Sequence, residues 1–203
     1  MIMKKSTVTI LVMLALCVFC APSFAAGDMS EKIEFQAEFI EKDNDEVTSG
    51  KIYVGDGVSR YETKGGKEIV VTRQDKKVIW LIFPQLSKYV EQSYIGQLQP
   101  VFVNPSQPLQ GNVTREFLDY EWVNSFRLRK FLVTVHYPQG DDKYYEWHRD
   151  NFPVPVKTES LDGKYSFEYQ KIKIAQQDPS LFVTPRRYKK VEMEEIIAAE
   201  NKN

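Results

Sequence analysis

The sequence predicts a mainly β protein built on one large antiparallel sheet that curls on its apolar side, with few helices. Three observations carry this. Apolar and polar residues alternate with a period of two along most of the 203-residue chain, as half-buried strands require. Turn residues recur between the alternating runs. No repeat of fixed period and no second long apolar run follows the N-terminal one, which fits a single domain over residues 26–203.

The first 25 residues read as a cleavable export signal. Lys4 and Lys5 form the basic start, residues 8–21 the apolar run, and Ser23-Phe24-Ala25-Ala26 the small-residue exit. A run of this length falls short of the roughly 20 residues a spanning helix needs, and Pro22 interrupts it. No membrane anchor is therefore expected in the exported chain. Ser23 and Ala25 put small residues at −3 and −1 for cleavage after Ala25. Both cysteines, Cys17 and Cys20, lie inside this segment, and the bulky Leu16 and Phe19 before them do not suit lipid attachment. The remaining chain offers no disulfide, thiolate metal site or cysteine nucleophile. Losing two lysines and no acid shifts the formal charge from −1 to −3, which gives nucleic acid no basic footprint.

The expected strands follow in order. Ile33, Phe35, Ala37 and Phe39 share one parity, and Ile52 and Val54 continue after Ser49-Gly50. The turn Gly55-Asp56-Gly57 leads into residues 58–63, and Lys64-Gly65-Gly66-Lys67 into residues 68–73. Residues 78–83 form a short continuous apolar run that suits a central strand, and residues 84–87 turn into a strand over 88–92. Phe131, Val133, Val135 and Tyr137 alternate next, then Tyr145 and Trp147, with Gly140-Asp141-Asp142 expected as the turn between them. The last strands are residues 154–160 and 165–174. In the latter, Phe167 and Tyr169 share one parity and Ile172 and Ile174 the other, so a bulge is expected near Gln170. Residues 191–199 close the chain as a short helix. Nine or ten strands with so little helix cannot stay flat without leaving a wet apolar face, so the sheet must close or half-close.

Candidate sites follow from this frame. Phe35, Phe39, Trp80, Phe131, Tyr145, Trp147 and Phe167 are the leading inward aromatics, lining a ligand cavity or packing as core. Residues 95–111 lack any strand or helix period. Pro100, Pro105 and Pro108 break regular structure there, while Leu98, Val101, Phe102, Val103 and Leu109 supply an apolar face suited to a lid. His136 and His148 are the only histidines; Glu146 shares a face with His148, but no tight metal-ligand spacing surrounds them. Asp141, Asp142 and Asp150 read as hairpin-tip polarity, and residues 186–190 as a basic strand end. No Gly-x-Ser-x-Gly elbow, phosphate loop or dinucleotide fingerprint occurs, and neither a cofactor nor an enzyme is expected.

Several stretches together resemble the periplasmic lipoprotein-carrier superfamily typified by LolA and LolB. They are residues 50–54, Arg60-Tyr61-Glu62, residues 79–84 with Lys88-Tyr89-Val90-Glu91, Tyr145-Glu146-Trp147, residues 152–157, and residues 179–185 before Tyr188. The resemblance spans nearly the whole exported chain and is nearest to outer-membrane lipoprotein-sorting-like proteins. It implies a curled antiparallel sheet forming an unclosed half barrel. It also implies a periplasmic carrier for a lipid or a lipoprotein acyl chain, or alternatively an envelope-stress sensor that engages a protein partner. Intact-mass measurement of the exported protein should find a chain starting at Ala26, and thiol alkylation should leave that mass unchanged.

Overall fold

The computed structural model describes residues 33–94, 112–138 and 140–201. The leader and the expected lid at 95–111 lie outside the described residues. One twelve-stranded sheet organises the chain, antiparallel throughout except at one end. β1 (Phe35–Asp43), β2 (Glu46–Gly55), β3 (Val58–Thr63), β4 (Ile69–Arg73), β5 (Val78–Phe83) and β6 (Lys88–Ser93) form a meander leading away from β1. The chain then restarts at the opposite end of the sheet. β7 (Asn112–Val123), β8 (Phe126–Tyr137), β9 (Gly140–His148), β10 (Lys157–Ser160) and β11 (Tyr165–Ile174) return toward the centre, where β11 pairs with β1. A two-residue β12 (Lys189–Lys190) lies parallel to β6, and α1 (Met193–Glu200) is the only α-helix among the described residues. The sheet ends in β12 on one side and β7 on the other, so it is open.

Residues directly opposite one another in a ladder project to the same side, so pairing carries one face across the sheet. Ala37 faces Ile52, Ile52 faces Tyr61, Tyr61 faces Val70, Val70 faces Leu81, and Leu81 faces Val90. On this aromatic face Phe35, Phe39, Phe167 and Tyr169 are all buried. The reverse face has its own apolar group, Val71, Trp80 and Ile82, covered by Phe182 from the 3-10 turn Pro179–Phe182. Two arginines on that face fasten the cover. Arg60 Nη1 donates to the Leu181 carbonyl at 3.0 Å, and Arg73 Nη1 to that of Phe182 at 2.8 Å. The chain then passes along the β6 edge as β12 and places Ile196 of α1 against Val90 and Val191 on the aromatic side.

Local chemistry explains the turns and the bulge. Asn124 and Ser125 both take positive φ in the two-residue loop joining β7 to β8, the backbone of a type I′ hairpin. Gln170 opposes Glu38 and Lys173 opposes Gln36, so β11 spends three steps where β1 spends two. Lys171, at φ 50°, absorbs the extra residue within a step of the position expected from the parity change. Two features depart from the sequence reading. Tyr137 pairs with Gly140, so Asp141 and Asp142 already lie inside β9 rather than in a turn. β7 was not expected, because its alternation breaks at a bulge by Leu118 and its apolar residues are exposed on an edge.

Gly50 sits opposite Phe39, whose ring lies over it, as aromatic rings often shield a strand glycine. A Cβ at Gly50 would fall 1.9 Å from the Glu62 carbonyl oxygen and 2.6 Å from the Phe39 ring. Neither can yield without moving the centre of the sheet. Gly50→Ala should therefore cost about 1–3 kcal/mol or more, and Phe39→Ala about 3–5 kcal/mol. Urea unfolding midpoints at constant m-value provide the measurement.

Candidate functional site

The seven aromatics expected to face inward divide between the two faces. Phe35, Phe39 and Phe167 come together as packed rings: Phe39 stacks on Tyr61 at 4.3 Å and on Phe167 at 5.7 Å, and Phe35 meets Phe152 edge-on at 4.8 Å. Phe131 lies on the same face but further out, against Phe117 and His148. By strand register Trp80, Tyr145 and Trp147 stand on the reverse side, although Trp147 is buried in one core cluster with Phe35, Phe39 and Phe167 and Tyr145 packs against that cluster. Trp80 Nε1 donates to Glu91 at 2.9 Å, and Trp147 Nε1 to Glu121 at 2.9 Å. Lys130 and Lys157 lie over the Trp147 ring at 4.8 and 4.4 Å, and Lys130 over Tyr145 at 4.5 Å. The lid residues Leu98, Val101, Phe102, Val103 and Leu109 fall outside the described residues.

Two polar groups interrupt the aromatic face. Glu146 is completely buried, yet its carboxylate accepts from Arg115 Nε at 3.0 Å and from the Tyr144 hydroxyl at 3.2 Å, and lies 2.7 Å from His148 Nε2. The Arg115 charge and these hydrogen bonds compensate desolvation that an isolated carboxylate could not bear. Burial, then the Glu146 charge, pushes the Tyr144 hydroxyl upward. The sequence placed Glu146 and His148 on one face, but Arg115 was missed because it belongs to the unexpected β7. Among the described residues no group of three or more His, Cys, Asp or Glu could hold a metal ion.

The second polar group involves Glu41, Tyr165, Tyr61 and Glu68. Burial lifts the Glu41 carboxyl to about 7, opposed by the hydrogen bond it accepts from Tyr165 at 3.3 Å and reinforced by Asp43. Burial also raises Glu68, with Glu200 of α1 adding to it, and raises both tyrosines beside Glu41.

A surface depression with a volume near 680 Å³ lies on the reverse face across β1 to β4. Ile40 and Ile69 supply apolar surface, while Glu38, Lys51, Glu62 and Lys64 supply charge. Both carboxylates are engaged, Glu38 by Lys171 at 2.9 Å and Glu62 by Arg60 at 2.5 Å. Lys51 and Lys64 are exposed and have no ion partner among the described residues. The groove is thus an apolar floor with uncompensated positive charge, on a face that period-two alternation marks only as polar.

The open, antiparallel-dominated sheet, with one helix among the described residues, is the architecture expected of a LolA-like fold. Among solved structures the chain is similar to MucB in two: the Pseudomonas aeruginosa MucA/MucB complex, at 17% identity and TM-score 0.52, and a crystal structure of MucB, at 15% identity and TM-score 0.53. The matches cover 81% and 78% of this chain and 60% of each MucB chain, so this chain spans about three fifths of their length. At these identities the likeness is one of fold. No protein-family model matches the chain, and no curated protein matches it. No helix among the described residues is long and apolar enough to cross a membrane.

Glu41 gives a pH signature. A carboxyl raised on folding holds its proton more tightly in the folded state, so stability falls as pH rises from the ordinary 4.5 to about 7 and levels off above. Glu41→Gln should flatten that fall. At pH 8 it should be more stable than the parent by on the order of 1 kcal/mol, discounted for partial solvent access. Urea denaturation at a series of pH values checks both.

Proposed function

We propose that this chain is a non-enzymatic binding protein of the bacterial periplasm that holds an anionic amphiphile, a fatty acid or the acyl portion of a lipid or lipoprotein, in the reverse-face groove. The groove's charge imbalance carries this reading: both carboxylates are occupied and both lysines are available. Its volume lies within the roughly 300–1,000 Å³ typical of small-ligand sites. Ile40 and Ile69 meet the acyl chain, with burial of each CH₂ contributing about 0.8 kcal/mol, while Lys51 and Lys64 meet the acidic head. The leader read from the sequence supports export, and the LolA-like fold supports a binding role over catalysis. The Glu146 network fits that role, since its carboxylate is buried and already engaged by its neighbours.

A protein partner is the second reading. It rests on the fold shared with MucB, which has been solved in complex with MucA. An inner-membrane protein recovered stoichiometrically with the exported chain would favour it.

Titration with an environment-sensitive fluorescent fatty acid, with native mass spectrometry of the exported protein, tests the first reading. Saturable 1:1 binding is expected. Lys51→Glu with Lys64→Glu should weaken it by about tenfold or more, and Ile40→Glu should weaken it without changing the fold. Absence of saturable binding, or binding indifferent to all three substitutions, overturns the groove as the ligand site.

A further inference from the structure

The end of the β7–β8 hairpin carries an aromatic surface that neither the groove nor the core uses. Phe117 is 48% exposed, Tyr120 44% and Trp122 73%, within six residues of one edge strand. So much exposed aromatic surface in one place marks an interaction site rather than scattered surface residues. Register explains why it faces outward. Phe117 pairs with Phe131, Tyr120 with Arg129 and Trp122 with Arg127, so these side chains share one side of the hairpin. On the other side, Glu121 pairs with Leu128, accepts from Trp147 and Lys130, and turns that side toward the protein. Asn124 at the tip donates to Glu168 of β11, which holds the hairpin down with its aromatic side outward.

The charges on this surface are one-sided. Arg127 lies over the Tyr120 ring at 4.2 Å. It has no carboxylate partner among the described residues, whereas Arg129 is paired with Asp150 at 3.2 Å. The acids of β7, Glu116, Asp119 and Glu121, oppose Leu132, Lys130 and Leu128 on the inward side. Trp, Tyr and Phe interleaved with unpaired arginine is the side-chain chemistry of the membrane–water interface, where rings seat at headgroup level and guanidinium groups meet phosphate. The opposite end of the sheet is treated differently, since β12 covers the β6 edge and α1 packs beside it.

We propose that the outer side of the β7–β8 hairpin is a docking surface for an anionic lipid bilayer. Trp122, Tyr120 and Phe117 enter the headgroup layer, and Arg127 pairs with a lipid phosphate. The exported chain as a whole is slightly acidic, at formal charge −3, so attraction to the bilayer is local to this hairpin and orients the molecule. The proposal stands apart from the groove, which lies across β1 to β4.

The chain reports on itself. Of its three tryptophans, Trp80 and Trp147 are only 7% and 2% exposed, so a fluorescence change on docking belongs to Trp122. The exported protein is mixed with phosphatidylcholine vesicles, with or without about one quarter phosphatidylglycerol, some bearing brominated acyl chains. The expected result is a blue shift and bromine quenching with anionic vesicles only, weakened by salt. Arg127→Glu should weaken vesicle binding by about tenfold, and in Trp122→Ser the quenching should vanish and co-sedimentation fall. Lys51→Glu with Lys64→Glu should leave docking unchanged, so failure of the groove and failure of the hairpin are told apart. Equal binding to neutral vesicles, no binding to anionic ones, undiminished co-sedimentation of the Arg127→Glu protein, or a dimer that shields Trp122 would each overturn the proposal.

Discussion

The pairing of β1 with β11 is the constraint on which the rest of the molecule depends. Two meanders run outward from it, and only this ladder joins them into one sheet. Its register is defined from both sides. On the β2 side, Phe39 lies over Gly50, which leaves no room for any other residue at that position. On the β11 side, one extra residue at Lys171 lets Phe167 and Tyr169 keep their places beside Phe39 while the strand continues to Ile174. A slip of one residue would turn Phe35, Ala37 and Phe39 from the core to the opposite face, exchanging buried rings for glutamates and Gln36.

An open sheet must then dispose of two edges and two faces, and the chain treats its ends unequally. At the β6 end, the C-terminal segment covers Trp80 and Ile82 on the reverse face, is fastened through its carbonyls by Arg60 and Arg73, runs along the edge as β12, and packs α1 on the aromatic side. A single tail thus links both faces and the edge. At the β7 end the hairpin turns its polar side inward over Trp147 and leaves aromatic and arginine side chains outward. Between these ends lies the groove on β1 to β4, where the carboxylates are neutralised locally and the lysines are not. The proposed ligand site and the proposed bilayer surface thus belong to different meanders.

Charge within the sheet follows two different physical solutions. Glu146 remains buried because Arg115 reaches it from β7 across β8, so the ion pair crosses three strands as one unit. Glu41 has no cation beside it among the described residues and responds by holding its proton more tightly, with Tyr165 as donor. One carboxylate is engaged by an opposite charge, whereas the other holds its proton, and that proton makes stability depend on pH near neutrality.

By itself the sequence determined whatever depends on neighbours along the chain. Alternation in residues 33–39 and 78–83, the Gly55-Asp56-Gly57 turn, the parity change between Tyr169 and Ile172, and the helical segment near residue 196 are local signals, and the structure realises each of them. The tertiary structure decided what depends on register between strands. Alternation tells which residues of one strand share a side, but not whether that side matches the aromatic side of another strand. Hence Trp80, Tyr145 and Trp147 fell on the face opposite Phe35, Phe39 and Phe167. The same reason hid Arg115 as the partner of Glu146, and the groove, whose charge imbalance exists only once Lys171 and Arg60 have claimed Glu38 and Glu62. β7 escaped detection because an exposed edge strand need not alternate toward a core: its bulge at Leu118 and outward aromatics obey constraints that only the folded sheet imposes.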